Sequence, residues 1–373
     1  MPPTLSRALP ALWERAEAAY AEARFREAAR LYAQLATLLT PKTPEWYTCQ
    51  LHRAHCLRLS GRFRHALQLY EQLQHFATET GREDSTDLIV GKALSLRVLG
   101  DLKTAQQLLQ QALQTYQQQH DTEGILHTLW ALGTTLRFAG NFRSAWEYLR
   151  QAMELHRRTR VGSPTYLYCA LGGLSRMQGA PKRSLRYYWQ AHRNALREED
   201  PFGIAYSACG IANAYRILGD WEAAEHFFTV ARLHYEHIGE QLSYAYTLWG
   251  EAMLFLLLRR WDAAAERLHS ADRIFQRIGD RRGLIHTTIA HLQLTALSHG
   301  HLSEDHIRSL QRALRWANRY GYRFELLHLQ LLQRLLRVEP QESSEAELQR
   351  AYRACGSQWL RWSRPIALPV NFP

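Results

Sequence analysis

Lysine is almost absent from this chain. Of 46 fixed cations, only Lys42, Lys92, Lys103 and Lys182 are lysines, and the others are arginines. The positive charge is therefore carried by planar forks that match carboxylate and phosphate, and hardly at all by flexible ammonium groups. Cysteine is scarce too. Five residues, an odd number with no CxxC pair, argue against a disulfide framework or a zinc site. No apolar run approaches about 18 residues, so no membrane span is expected. The stretch from Met1 to Tyr20 holds prolines and charges in place of an apolar segment, so no secretory signal is expected and a cytoplasmic setting is the default.

Chemistry-bearing motifs are missing as well. There is no GxGxxG, no phosphate-binding loop and no GxSxG. Glu222, Glu225 and Glu266 form no acid/base pair. His52 and His55 share a helical stretch with Cys49 and Cys56, but no carboxylate completes a metal set, and ordinary packing explains them. Cys169 and Cys209 occupy equivalent repeat positions, which stacking alone explains. The reading is a non-catalytic protein without cofactor or metal.

What the chain does have is a net charge of +11, which favours an acidic partner, and a repeat. Arg58, Arg97, Arg137, Arg176 and Arg216 recur at steps of 39, 40, 39 and 40 residues. Each stands three residues before a turn glycine: Gly61, Gly100, Gly140, Gly179 and Gly219. A fixed step of this size marks stacked units in which equivalent residues line up. Five residues after the turn position come small residues (Ala28, Ala66, Ala105, Ala145, Ser184, Ala224, Ala264). Four further on come bulky ones (Tyr32, Tyr70, Leu109, Leu149, Tyr188, Phe228, Leu268). That spacing is one helical face, with small residues letting helices approach and large ones filling the gap. A second face precedes each turn, so the unit is helix, turn, helix.

This pattern resembles the tetratricopeptide repeat (TPR) family. The segment Gly219-Asp220-Trp221-Glu222-Ala223-Ala224, with Phe228 and Ala231 behind it and Trp249-Gly250 in the next unit, carries the likeness. It extends over residues 10 to 337. The period near 40 exceeds the family's usual value of about 34, and the proline that usually ends the second helix is missing. Longer helices follow, similar to those of kinesin light chains and of bacterial regulators that bind peptides. The resemblance implies an all-α, right-handed superhelical solenoid of about eight to nine hairpins over residues 1–337. A capping helix follows over 338–355, where Glu339-Pro340 makes a break and Ser344 with Glu347 reads as a capping box. The last segment, 356–373, carries Trp359, Trp362, Pro365, Pro369 and Pro373 and is expected to be extended. It is expected either to fill a groove, its own or a neighbour's, or to lie as an apolar patch on the last hairpin.

In the TPR family the first helix of each hairpin lines the concave side. By that resemblance the groove holds the arginine column, with His127, Tyr166, Tyr206 and Tyr246 on one rim, and Trp130 and Trp249 between. Asn213 stands where peptide-binding members often hold the ligand main chain. Cys209 replaces the lysine of the clamp that grips chaperone C-termini, so chaperone binding is not expected. Neighbouring guanidiniums about 10 Å apart repel across roughly one Debye length, and an acidic ligand relieves that repulsion. The expected function is an interaction scaffold or regulator that binds an acidic peptide or protein segment. One alternative is single-stranded nucleic-acid binding, and another is an accessory factor for assembling an enzyme. Against all three stands the possibility that these arginines are solvated or paired with glutamates of the chain itself.

Overall fold

The computed structural model describes residues 3–80, 85–339, 343–360 and 366–373, with side chains from residue 9 onward. Pro340, Trp362 and Pro365 lie outside the described residues. Among those described there are eighteen helices and no strand. They pair in sequence as nine hairpins: α1 (Pro3–Ala21) with α2 (Phe25–Leu38), α3 (Pro44–Leu59) with α4 (Phe63–Thr80), and α5 (Thr86–Leu99) with α6 (Leu102–Gln118). Next come α7 (Thr122–Phe138) with α8 (Phe142–Thr159), α9 (Thr165–Met177) with α10 (Pro181–Arg197), and α11 (Pro201–Leu218) with α12 (Trp221–Ile238). The last three are α13 (Gln241–Leu257) with α14 (Trp261–Ile278), α15 (Arg281–His299) with α16 (Glu304–Arg319), and α17 (Arg323–Leu335) with α18 (Glu345–Ala354).

Local chemistry sets the hairpin boundaries. At the α5–α6 and α11–α12 turns the chain enters the left-handed region at Gly100 (φ 101°) and Gly219 (φ 87°), which costs glycine little. The next residue, Asp101 or Asp220, caps the following helix by accepting the N–H of Thr104 or Ala223. Asp121 and Asp200 do the same for α7 and α11, each satisfying an orphan helix donor. Ser344 and Glu347 form a reciprocal capping box at α18.

Packing follows the small-and-large pattern. Ala66, Ala105, Ala145, Ala224 and Ala264 have no exposed surface, nor do Tyr70, Leu109, Leu149, Phe228 and Leu268. Tyr188 of α10 shows the mechanism. Its ring lies against Gly172 of α9 and Gly210 of α11, and a Cβ at Gly210 would stand 2.0 Å from a ring carbon. Burying such a side chain contributes about 1.5–3 kcal/mol, and an alanine at Gly210 would displace it.

The array also closes on itself. Ala23, in the α1–α2 turn, packs in one cluster with Ala205, Tyr235 and Ile238 of the sixth hairpin. Phe63 and Val98 pack with Ala245, Leu248 and Ile274 of the seventh. A Cβ on Gly100 would meet Tyr320 of the eighth hairpin's end at 2.9 Å. The Phe142 N–H donates to the Cys355 carbonyl at the end of the ninth, at 3.1 Å. Each hairpin of the first coil thus stands against the one five units later, and the first helices are wrapped into an interior.

Candidate functional site: the arginine-lined interior

Arg58, Arg97, Arg137 and Arg176 stand in the last turns of α3, α5, α7 and α9, and Arg216 in that of α11. A helix C-terminus favours a cation, so the inner helices tolerate the column. The coil closure gathers part of it. Phe138 is ringed by three guanidiniums, with Arg97 at 5.3 Å, Arg137 at 5.5 Å and Arg282 of α15 at 4.5 Å from its centroid. Arg97 also lies 5.8 Å from the Trp130 ring and donates to Thr134 Oγ1 at 2.7 Å. Arg137 occupies the space left by Gly173, where a Cβ would stand 2.0 Å from its Nη1.

Among the described residues, no carboxylate forms an ion pair with any of the five column arginines; the ion pairs with acids are made by other cations. The Nε atoms of all five are buried without a hydrogen-bond partner, as is Nη1 of Arg176. Burial disfavours the charge of three of them, Arg97, Arg176 and Arg216. It pulls Arg97 down to about 10 and Arg216 to about 9, and it lowers Arg176. A buried guanidinium without a counter-charge carries a cost that an anion can offset.

The other expected site residues divide. His127 is exposed and stacks on the half-buried Trp130, with centroids 5.7 Å apart. Tyr206 is half-buried and lies near Arg97. Tyr166 donates to Asp200 Oδ2, so its hydroxyl braces the α11 cap. Tyr246 receives Arg282 Nη1 at 3.4 Å and packs edge-on against Phe275. Trp249 is 4% exposed, and its indole N–H donates to the His286 carbonyl at 3.1 Å. Asn213 is also held within the protein: Nδ2 donates to the Cys209 carbonyl, and Oδ1 accepts from Arg216 Nη2 at 3.1 Å. Trp249, Asn213 and Tyr246 are thus engaged by the chain's own groups, while Arg97, Arg137, Arg176, Trp130 and His127 keep unspent polar or aromatic surface.

The sequence reading missed a second charged cluster. Arg282 Nη2 pairs with Glu325 Oε1 of α17 at 2.5 Å, and His286 Nε2 lies 3.3 Å from the same oxygen. His328 Nδ1 shares a hydrogen bond of 2.7 Å with the Tyr352 hydroxyl. Glu325 has no exposed surface. Burial pushes its carboxyl up, but Arg282 and His286 pull it down to about 2. One signal marked the pair: an arginine and a glutamate 43 positions apart, close to one repeat step. All five cysteines are free, and no His/Cys/Asp/Glu cluster suited to a metal occurs among the described residues.

Residues 85–158 match the family model described as tetratricopeptide repeat. Two solved structures have similar folds over nearly their whole length. One is a Rap protein complexed with competence and sporulation factor, at 13% identity and a TM-score of 0.66, covering 94% of this chain and 97% of that one. The other is the Rap conjugation gene regulator of the plasmid pLS20 in complex with the Phr* peptide, at 12% identity and a TM-score of 0.59, covering 84% and 96%. No curated protein sequence matches. At such identities the likeness concerns the fold. Residues 85–158 thus match tetratricopeptide repeats, and the chain as a whole has the fold of an all-α solenoid of helical hairpins.

Proposed function

We propose that this protein is a non-catalytic interaction scaffold whose interior binds an acidic peptide or an acidic segment of a partner protein. One observation carries the reading: none of the five inward arginines has a carboxylate partner among the described residues, whereas Arg232 and Arg282, whose Nε atoms are likewise buried and unbonded, each have one. Buried charges are ordinarily paired, so a row of unpaired cations in equivalent positions is consistent with a ligand that supplies the anions. A carboxylate supplies short, charge-assisted and often bidentate bonds to such groups. The similarly folded pLS20 regulator is complexed with a peptide, which supports an extended chain as the ligand. Trp130 and His127 add an aromatic surface beside the cations.

A fluorescein-labelled hexaglutamate peptide tests this by anisotropy at physiological salt. The double variant R137Q/R176Q is expected to weaken binding by about a hundredfold, since each lost charge-assisted bond is worth about 1.5 kcal/mol. Helix content and melting should stay near those of the parent. Capture at unchanged affinity would remove the proposal, and single-stranded RNA or DNA binding more tightly than the peptide would replace it with the nucleic-acid reading.

A further inference from the structure

The arginine at the end of the column differs from the other four. Arg216 has no exposed surface, and its neighbours come from the far end of the chain. Ser357 Oγ donates to the Met177 carbonyl at 2.7 Å, and the Gln358 N–H donates to the Gln178 carbonyl at 3.0 Å. These bonds seat the segment on the α9–α10 turn. In the five-unit register that turn, the fifth, would face a tenth hairpin, and the segment stands in its place.

Residues 370–372 then enter the interior. The Val370 N–H donates to the Gln293 side chain. Asn371 Oδ1 accepts from the Arg216 guanidinium, and Asn371 Nδ2 donates to the Arg216 carbonyl at 3.1 Å. The Phe372 carbonyl accepts from Arg216 Nη2 at 3.0 Å. The Phe372 ring lies 4.4 Å from His328 and 5.5 Å from Trp359, centroid to centroid. Three consecutive residues thus spend main-chain donors and acceptors, a side-chain amide and a ring on the groove, as an extended peptide ligand does. Asparagine matches aspartate in shape but has no charge. It fills the fork of Arg216 and leaves the positive charge uncompensated, where a carboxylate would add the opposite charge.

We infer that residues 370–372 are a resident, neutral stand-in for the acidic ligand at Arg216, displaced when a ligand presents a carboxylate where Asn371 presents its amide. The inference rests on the proposed acidic-ligand reading of the same interior. It adds regulation, because the end of the column is closed until a ligand competes for it. It also adds specificity, because the favoured ligand carries an acidic residue followed by an aromatic one, in the register of Asn371 and Phe372.

Labelled hexaglutamate is titrated into the full chain, a chain lacking residues 370–373, and the variant N371D. Hydrogen exchange of residues 366–373 is followed in the full chain with and without the peptide. The shortened chain is expected to bind about tenfold more tightly and N371D about tenfold more weakly, in keeping with one charge-assisted bond gained or withheld. Saturating peptide should speed exchange at Val370 and Phe372. Should the shortened chain lose helix content, N371D, which preserves side-chain volume, decides with the exchange data. Equal affinities for the parent and N371D, in a protein whose binding R137Q/R176Q weakens about a hundredfold, would overturn the stand-in and leave the acidic-ligand reading intact. Exchange at 366–373 that is fast in the free chain, or still slow when the peptide is bound, would overturn it too. Hexaglutamate binding to none of the three chains would overturn the acidic-ligand reading, and this inference with it.

Discussion

Arg282 and Arg176 are arginines of the same coil interior, yet the protein treats them in opposite ways. Arg282 has a buried carboxylate as counter-charge: Glu325 lies at 2.5 Å, with the Tyr246 hydroxyl at 3.4 Å and the Phe138 ring beside it, although its Nε, like those of the column, is left unbonded. Burial works against its charge, but Glu325, Tyr246 and Asp280 more than restore it and hold its proton more tightly than usual. Arg176 has two buried nitrogens without partners, and burial lowers it. The first is a finished structural pair. The second is half of a contact. The difference shows that this interior can supply an acid to an arginine where the fold requires one, so the absence of acids along the column is not a general property of the chain.

The sharpest way to break this comparison is to remove the acid from the finished pair. E325Q leaves Arg282 buried without its paired carboxylate, with only the more distant Asp280 to oppose its charge, and is expected to destabilise the fold by about 3–5 kcal/mol, the usual cost of breaking a buried pair on one side. R176Q removes a cation that has no counter-charge to lose, so stability should hold or rise. Urea denaturation of the two variants against the parent measures both. Equal losses would mean that Arg176 is as structurally engaged as Arg282, and the contrast would disappear.

Acid should act on the finished cluster before it reaches the pair itself. Burial lowers His328 to about 3, and burial with the charge of Arg282 lowers His286 to about 4. Both rings are neutral in the folded chain near pH 6, while the unfolded chain protonates them below about 6.5. The unfolded state then binds more protons, so stability falls as pH drops, by about 1.4 kcal/mol per pH unit for each histidine. Buried Glu240 has the opposite sign. Burial raises it to about 7, so between its unfolded value near 4.5 and pH 7 it favours folding as pH falls, offsetting about one histidine. The Glu325 contribution is lost only as pH falls through about 2. Between pH 6.5 and pH 5 these three groups together give a loss of about 2 kcal/mol, read from urea midpoints. His52, His55 and His192, also lowered by burial, add to it with the same sign. H328Q should flatten that slope. A profile unchanged by H328Q would show that the ring already exchanges its proton freely in the folded state.

The sequence made the hairpins legible because their signal is local and repeated. The residues at the small and bulky columns, Ala105 with Leu109 and Ala145 with Leu149, have no exposed surface, and the Ser344–Glu347 capping box forms at α18. Coil closure was not legible. Gly140 and Gly219 look alike in the repeat, yet a Cβ on Gly140 would meet Arg323 at 3.1 Å, while Gly219 faces open space. Which turns meet a second layer depends on small rotations summed over five units, and no single residue records that sum. The same gap affected the site. Trp249 and Asn213 occupy columns that point inward, but bonds to His286, Cys209 and Arg216 hold them in the packing. The Asn371–Arg216 contact joins residues 155 positions apart, far beyond the repeat step, so no column reading reaches it.

The smallest expected effect concerns a deliberate repair of the unfinished set. Thr134 Oγ1 receives Arg97 Nη1 at 2.7 Å, and Thr134 is itself buried. T134D places a carboxylate against that guanidinium. Aspartate at a buried threonine ordinarily costs several kcal/mol, because a desolvated charge is left unpaired. Here the desolvation of Arg97 is already borne by the fold, so the new pair should recover most of the cost and leave stability within about 1 kcal/mol of the parent. Thr128, equally buried but with no bond to a column arginine, provides the control: T128D should show the full penalty. T134D should also weaken hexaglutamate binding, since the chain then supplies the anion itself. If T134D is as damaging as T128D, Arg97 already has its charge balanced by other means, and the column is a finished structure like Arg282 and not an open one.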